Sequence, residues 1–124
     1  MGIFRTTISV AHHARPAHKR TLSDVMVDTG SEYNWIPRDV LEDLGVEPER
    51  IDMFETADGR VLSRQVGFAR VFAGERSAIT AVAFAEPGDM VLLGAYGLEG
   101  MNLRIDLGRK ELVPAGPVPV AVAA

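Results

Sequence analysis

The sequence predicts a mostly β domain, and three observations carry that expectation. Residues 3–11 alternate, with Phe4, Thr6, Ile8 and Val10 on one face and Arg5, Thr7 and Ser9 on the other. That period of two is the mark of a strand, and the β-branched content suits a pleated surface. The long stretch "IDMFETADGRVLSRQVGFARVFAGERSAITAVAFA" is cut into strand-length runs by Asp58-Gly59 and Ala73-Gly74-Glu75. Asp-Gly between such runs signals a hairpin, because the turn needs positive φ. Helical periodicity is confined to short segments. Short strands, frequent turns and one clear helix leave a β barrel or a β sandwich as the class.

The elements follow in order. "HHARPAHKR", residues 12–20, is polar, basic and holds a proline, so it reads as a loop after the first strand. "TLSDVMV" is the next strand and runs into a turn at Asp28. "PRDVLEDLG" places Val40, Leu41 and Leu44 on one helical face, with Pro37 as the first helical residue and Gly45 as the stop just past its end. The two hairpins of the long β stretch come next, and "EPGD" breaks the chain before "MVLLG". "AYGLEGMN" is expected to form one helical turn, and "LRIDLGRKELVP" a hairpin turning at Gly108-Arg109. The tail "AGPVPVAVAA" is uncharged, and reads as a disordered segment or an edge strand. Residues 1–114 are therefore expected to form the domain and 115–124 a Pro/Ala-rich tail.

Bulk properties narrow the function. A chain of 124 residues is one domain by length, and 47% hydrophobic with 24% charged residues is a globular composition, far from a disordered one. A net charge of −4 argues against nucleic acid as a partner, since phosphate binding relies on clustered excess cations. The absence of cysteine removes disulfides and thiolate chemistry and fits a reducing compartment. No window approaches the ~20 apolar residues of a membrane span, and the first residues lack the apolar run of a signal peptide. Gly2 and Thr6 match the loose myristoylation pattern, but "IFRTTISVA" alternates as a strand does. A soluble, cytoplasmic protein without membrane attachment is expected.

Asp28-Thr29-Gly30-Ser31 is the stretch with chemical content. An Asp followed by Gly commonly makes an Asx turn and nothing more. Here, however, the turn follows Val25-Met26-Val27, three consecutive apolar residues that predict burial on both faces. Such an approach suits the presentation of a carboxylate in a partly desolvated site, whereas a plain turn Asp would face solvent.

At these residues the chain resembles a known family. "VMVDTGSEYNWIP" is similar to the active-site loop of the retropepsin-like aspartic proteases, in which an apolar strand delivers Asp-Thr-Gly and then Ala or Ser. "VLLGAYGLEGMNLRID", residues 91–106, resembles the second hallmark: two apolar residues and a Gly, then a short helix. The turns at Asp58-Gly59 and Gly74-Glu75 fall where the family places its flap and a second hairpin, so the likeness spans roughly residues 3–113. Gly94 is followed by Ala95 and Tyr96 where many retropepsins carry Gly-Arg-Asp or Gly-Arg-Asn, and Asn34 stands where Ser or Thr is common. The resemblance is accordingly to bacterial or archaeal single-domain members.

The resemblance implies a closed retropepsin-like β barrel with a flap hairpin over residues 54–64 and one or two short helices. It implies an aspartic endopeptidase, assembled as a homodimer because the chain has a single Asp-Thr-Gly, acting on a peptide or protein substrate without metal or other cofactor. Asp28, Thr29 and Gly30 would form the catalytic loop, with Thr29 bonding across the two-fold axis and the Gly30 N–H supporting the carboxylate. Ser31, Glu32, Ala57, Asp58, Gly59 and Leu92 would contact substrate, and Leu92 and Leu93 would wall apolar pockets. The alternative is a non-catalytic dimeric peptide-binding or assembly module that keeps the fold.

Other residues have blander readings. His12, His13 and His18 lack a fourth ligand at recognisable spacing and read as a solvated loop rather than a metal site. Trp35, just before a helix start, reads as core, although it and Tyr33 can also line a substrate pocket. Asp39, Glu42 and Asp43 form the polar face of a short helix. Ser31 has no His and acid partners in a triad order.

Overall fold

The computed structural model describes residues 4–122. The chain is 50% strand and 11% helix, which makes the class mostly β. Among the described residues the elements run β1 (Phe4–Ala11), β2 (Lys19–Val27), β3 (Asn34–Pro37), α1 (Arg38–Asp43), β4 (Arg50–Glu55), β5 (Val61–Ala73), β6 (Arg76–Ala85), β7 (Leu92–Leu93), α2 (Ala95–Met101), β8 (Leu103–Asp106) and β9 (Glu111–Pro114). Seven strands share one sheet in the order β1-β2-β7-β3-β6-β5-β4, and β1 also pairs with β5; β8 and β9 form a separate pair.

The alternation in β1 buries Ile8 and Val10 and exposes Arg5 and Thr7. β2 runs antiparallel to it, with a register shift opposite Thr6 and Ile8 and a positive φ at Asp24, which together mark a bulge. Val25 and Val27 are buried, but Met26 is half-buried, so the strand is closed on one face rather than both. β2 also begins earlier than the sequence predicts. Lys19 and Arg20 pair with Ala11 and Val10, and the Lys19 ammonium sits 4.1 Å from the Phe72 ring centroid.

β5 has 13 residues and serves two partners in succession. Its first part pairs with β4 from Val61 to Val66; from Val66 onward it pairs with β6. The β4–β5 hairpin therefore projects from the sheet as a two-stranded arm. Its turn closes through Thr56 N–H to Arg60 O (2.8 Å) and Gly59 N–H to Thr56 O (2.9 Å), with Gly59 at φ +86°. Both turns expected in this region, at Asp58-Gly59 and at Gly74-Glu75, are where the sequence places them.

Several boundaries differ from expectation. Pro37 is the last residue of β3, extended at ψ 135°, and α1 starts at Arg38. Its stop is as expected, with Gly45 at φ +76° and its N–H bonded to Glu42 O. α2 spans seven residues, two turns rather than one, because Asn102 at φ 53° closes it a turn later. In the β8–β9 turn the positive φ falls on Lys110, not on Gly108. Residues 115–122 form neither strand nor helix, and Ala115 N–H and Gly116 O are tied to Asn102. Gly2 lies outside the described residues. Among the described residues no helix is long and apolar enough to cross a membrane.

The core gathers Ile8, Val25, Ile36, Leu41, Phe84 and Leu93 with Leu98 and Met101 of α2. At the root of the projecting arm, Arg64 of β5 grips Asp89 in the 86–89 turn through two bonds, 2.6 and 2.8 Å. The two side chains are 18% and 12% exposed, enough burial to make the pair count energetically. Arg64 and the Glu86 N–H hold the Asp89 carboxyl below its ordinary range. Because the folded carboxyl titrates below its unfolded value, this contribution is full above the ordinary carboxylate range and is lost as pH falls through the depressed folded value. Asp89→Asn is expected to cost about 1–3 kcal/mol at neutral pH and to flatten the loss of stability on acidification. Urea unfolding across a pH series measures both.

Candidate active site

β2 delivers Asp28 and β7 braces it. Met26 and Val27 pair in parallel with Leu92 and Leu93, and the Asp28 N–H then donates to Leu93 O at 3.0 Å. The turn that follows is built on the carboxylate itself. Gly30 N–H donates to Asp28 Oδ1 at 2.9 Å and Ser31 N–H to Asp28 O at 3.2 Å. The side chain is thus held in one orientation, half-buried, while Thr29 and Gly30 are exposed. Both sequence readings of this stretch are present together: an Asx turn, and a carboxylate presented at the end of a core strand.

The second motif is laced to the first. Ala95 N–H donates to Ser31 O (2.8 Å) and Tyr96 N–H to Glu32 O (2.9 Å). The Tyr96 hydroxyl donates to Glu32 Oε2 at 3.0 Å, and that acceptor raises the phenol's pKa. Beneath them lies Asn34, fully buried. Its Nδ2 donates to Ala81 O (2.9 Å) and Thr80 Oγ1 (3.2 Å), and its Oδ1 accepts the Gly94 N–H (2.9 Å). Gly94 is required for space, since its backbone is extended: a Cβ there would collide with the carbonyl oxygens of Tyr33 and Ser31. Gly97 is likewise pressed against Asn34 Oδ1.

Above this floor is a groove of about 780 Å³ between the Asp28 turn and the β4–β5 arm. It brings together Asp28, Gly30, Ser31, Glu32, Ala57 and Leu92 of the predicted residues. Thr29, Asp58 and Gly59 are not on its lining. Asp58 sits at the arm's tip, where the Thr56 hydroxyl, then Arg60, lower its carboxyl pKa. Leu93, expected as a pocket wall, is instead fully buried in the core. Trp35, expected in the core, lines the groove. It packs edge-on against Phe54 with centroids 4.9 Å apart, and Phe54 meets Tyr33 likewise at 5.1 Å.

Sequence reasoning passed over Asp52, Asp89 and Met90, all of which reach the groove. Asp52 was accessible, because alternation puts it on the same face of β4 as Phe54. Asp89 and Met90 carried no local signal. The Tyr33 hydroxyl donates to Asp52 Oδ2 (2.8 Å), and this bond, with Arg50 beside it, holds the Asp52 carboxyl below its ordinary range. Among the described residues no group of three or more His, Cys, Asp or Glu side chains is placed to hold a metal ion. His12 Nδ1 is taken by the Ala14 N–H.

One carboxylate on a Gly turn, cross-laced to an apolar-apolar-Gly segment and roofed by a hairpin, is the site architecture of a retropepsin-like aspartyl protease. The family model described as aspartyl protease matches residues 18–96, almost two thirds of the chain, and the protein belongs to that family. No curated protein matches it.

Replacing Asn34 by Leu leaves the Gly94 N–H, Ala81 O and the Thr80 hydroxyl without their partner in the interior. A destabilisation of about 3 kcal/mol or more is expected, read by chemical unfolding. Asn34→Asp is expected to be worse at neutral pH, because it buries a charge facing Ala81 O.

Proposed function

We propose that the protein is an aspartic endopeptidase whose catalytic dyad is formed by Asp28 from each of two identical subunits. The observation that carries this reading is the Asp28 carboxylate, held by the Gly30 N–H at the floor of a groove of about 780 Å³ that runs beneath the β4–β5 arm. Within one chain, the Asp52 and Asp89 carboxylates of the groove are poorly suited to share its proton. Asp52 is held by Tyr33 and Arg50, and Asp89 by Arg64, and both are kept readily ionised. A second Asp28 supplied across a two-fold axis is the simplest completion. The exposure of Thr29 and Gly30 supports it, since these residues would meet their counterparts on that axis.

The reaction needs no covalent intermediate. Two carboxyls so close cannot both ionise, so they share one proton. The ionised one takes a proton from the water between them as the water oxygen attacks the peptide carbonyl, and the protonated one donates to the carbonyl oxygen. The tetrahedral intermediate is a geminal diol. It collapses when its nitrogen takes a proton from one carboxyl and the C–N bond breaks to release the amine. A diol hydroxyl returns its proton to the other carboxylate, so the dyad ends with the one proton it began with. The pair titrates as a unit. The β4–β5 arm acts as a flap, excluding water and ordering the peptide, with Trp35, Phe54 and Leu92 as apolar walls for side chains near the cut. The pairing of β1 with both β2 and β5 supports a sheet closed on itself as a barrel. We place the work of the protein in the cytoplasm, with residues 115–124 as a tail outside the 1–114 domain.

A peptide-library cleavage assay from acidic to neutral pH, with sedimentation in parallel, tests the proposal. Cleavage by a dimer is expected, with Asp28→Asn lowering the rate by about 10²–10⁴-fold and leaving the dimer intact. Equal cleavage by both proteins removes Asp28 from the chemistry, and cleavage by a strict monomer removes the dyad. Peptide binding with no cleavage at any pH identifies a recognition module on the same fold.

A further inference from the structure

The β4–β5 arm leaves the sheet at Val66, where β5 stops pairing with β6. Two residues further out stands the rung Asp52–Arg64, whose members face each other across the arm's ladder. Each is fixed to a different part of the body. Asp52 Oδ2 accepts the Tyr33 hydroxyl at 2.8 Å, which ties β4 to the segment following the Asp28 turn. Arg64 donates to both oxygens of Asp89 at 2.6 and 2.8 Å, which ties β5 to the 86–89 turn. These side chains are 28% (Asp52), 18% (Arg64) and 12% (Asp89) exposed, so water competes weakly for the bonds.

Outward of this rung the character of the contacts changes. Among the described residues, the hydrogen bonds of residues 53–63 stay within the arm, and Thr56, Asp58 and Arg60 brace the tip against itself. What meets the floor there is the ring of Phe54, edge-on to Tyr33 and Trp35. Ring contacts tolerate sliding, whereas a bidentate ion pair and a phenol–carboxylate bond are directional.

We propose that the Asp52–Arg64 rung is the fulcrum of the flap: Tyr33 and Asp89 are positioning residues that anchor its two strands, and opening is confined to residues 53–63. The device works by contrast between two kinds of contact. Substrate can enter by sliding Phe54 over Tyr33 and Trp35 while the root keeps its register, so the arm returns to the same place over Asp28. The consequence for turnover rests on the peptidase reading above; the location of the pivot does not.

Amide hydrogen exchange on the full-length protein, without ligand, tests the pivot directly. Exchange by local opening is expected to be fast across 53–63 and slow in residues 50–52 and 64–66. Tyr33→Phe removes the β4 anchor alone and Asp89→Asn weakens the β5 anchor. Each is expected to speed exchange at its own strand's root by about ten- to a hundredfold beyond any change in β1 and β6, whose loss of protection follows the variant's loss of global stability and controls for global unfolding. Arg64→Lys, which keeps the charge but offers a single donor nitrogen in place of two, is expected to fall between wild type and Arg64→Met. If cleavage is found, the anchor variants should raise KM more than they lower kcat, since the dyad is untouched. Fast exchange running through the rung into residues 65–73 of the wild type overturns the proposal, as does unchanged root protection in both anchor variants. An inactive wild type would remove the peptidase reading and leave the exchange result to decide the pivot.

Discussion

The buried amide of Asn34 is the constraint around which the site is built. A side-chain amide at full burial is costly unless both its donor and acceptor functions are met. Here they are met by three bonds to two other segments: β6 through Ala81 and Thr80, and the start of α2 through Gly94. The amide therefore holds β3, β6 and the second motif at one spacing. The glycines at 94 and 97 follow from it, because the backbone and helix must come close enough to bond the amide and pass beside it. With Gly94 seated, Ala95 and Tyr96 reach the carbonyls of Ser31 and Glu32, and Leu93 reaches the N–H of Asp28. The orientation of the Asp28 carboxylate is the last link of that chain of contacts.

The groove separates its carboxylates by the company each keeps. Asp52 is held by a phenol and a guanidinium, and Asp89 by a guanidinium and a backbone N–H, which keeps both ionised and structural. The Asp28 carboxylate is met by the Gly30 N–H. Asp52 and Asp89 thus brace the root of the β4–β5 arm, while the Asp28 carboxylate at the groove's floor is bonded to the backbone of its own turn.

Much of this was legible in the residues. Alternation in β1, the Asp-Gly and Gly-Glu turns, the α1 stop at Gly45 and the Asp28 turn are local features, governed by φ preferences and by the period of burial. Errors arose where long-range contact outweighs local pattern. β3 is four residues long and exists because β6, more than forty residues later, pairs with it in parallel. Pro37 could therefore end a strand rather than open a helix, and Trp35, on that strand, faces the groove. Leu92 and Leu93 are adjacent and chemically alike, yet one lines the groove and the other the core, because strand geometry sends neighbours to opposite faces.

By itself the sequence determined the class, the places of the turns and the setting of Asp28 at the end of an apolar strand. Each of these depends on a few neighbouring residues and their backbone preferences. Tertiary structure alone decided that Asn34 bonds Gly94, that Tyr33 clasps Asp52, and that Arg64 meets Asp89 at the root of the β4–β5 arm. Those partners lie between 19 and 60 residues apart, and what joins them is sheet topology, which no local preference encodes.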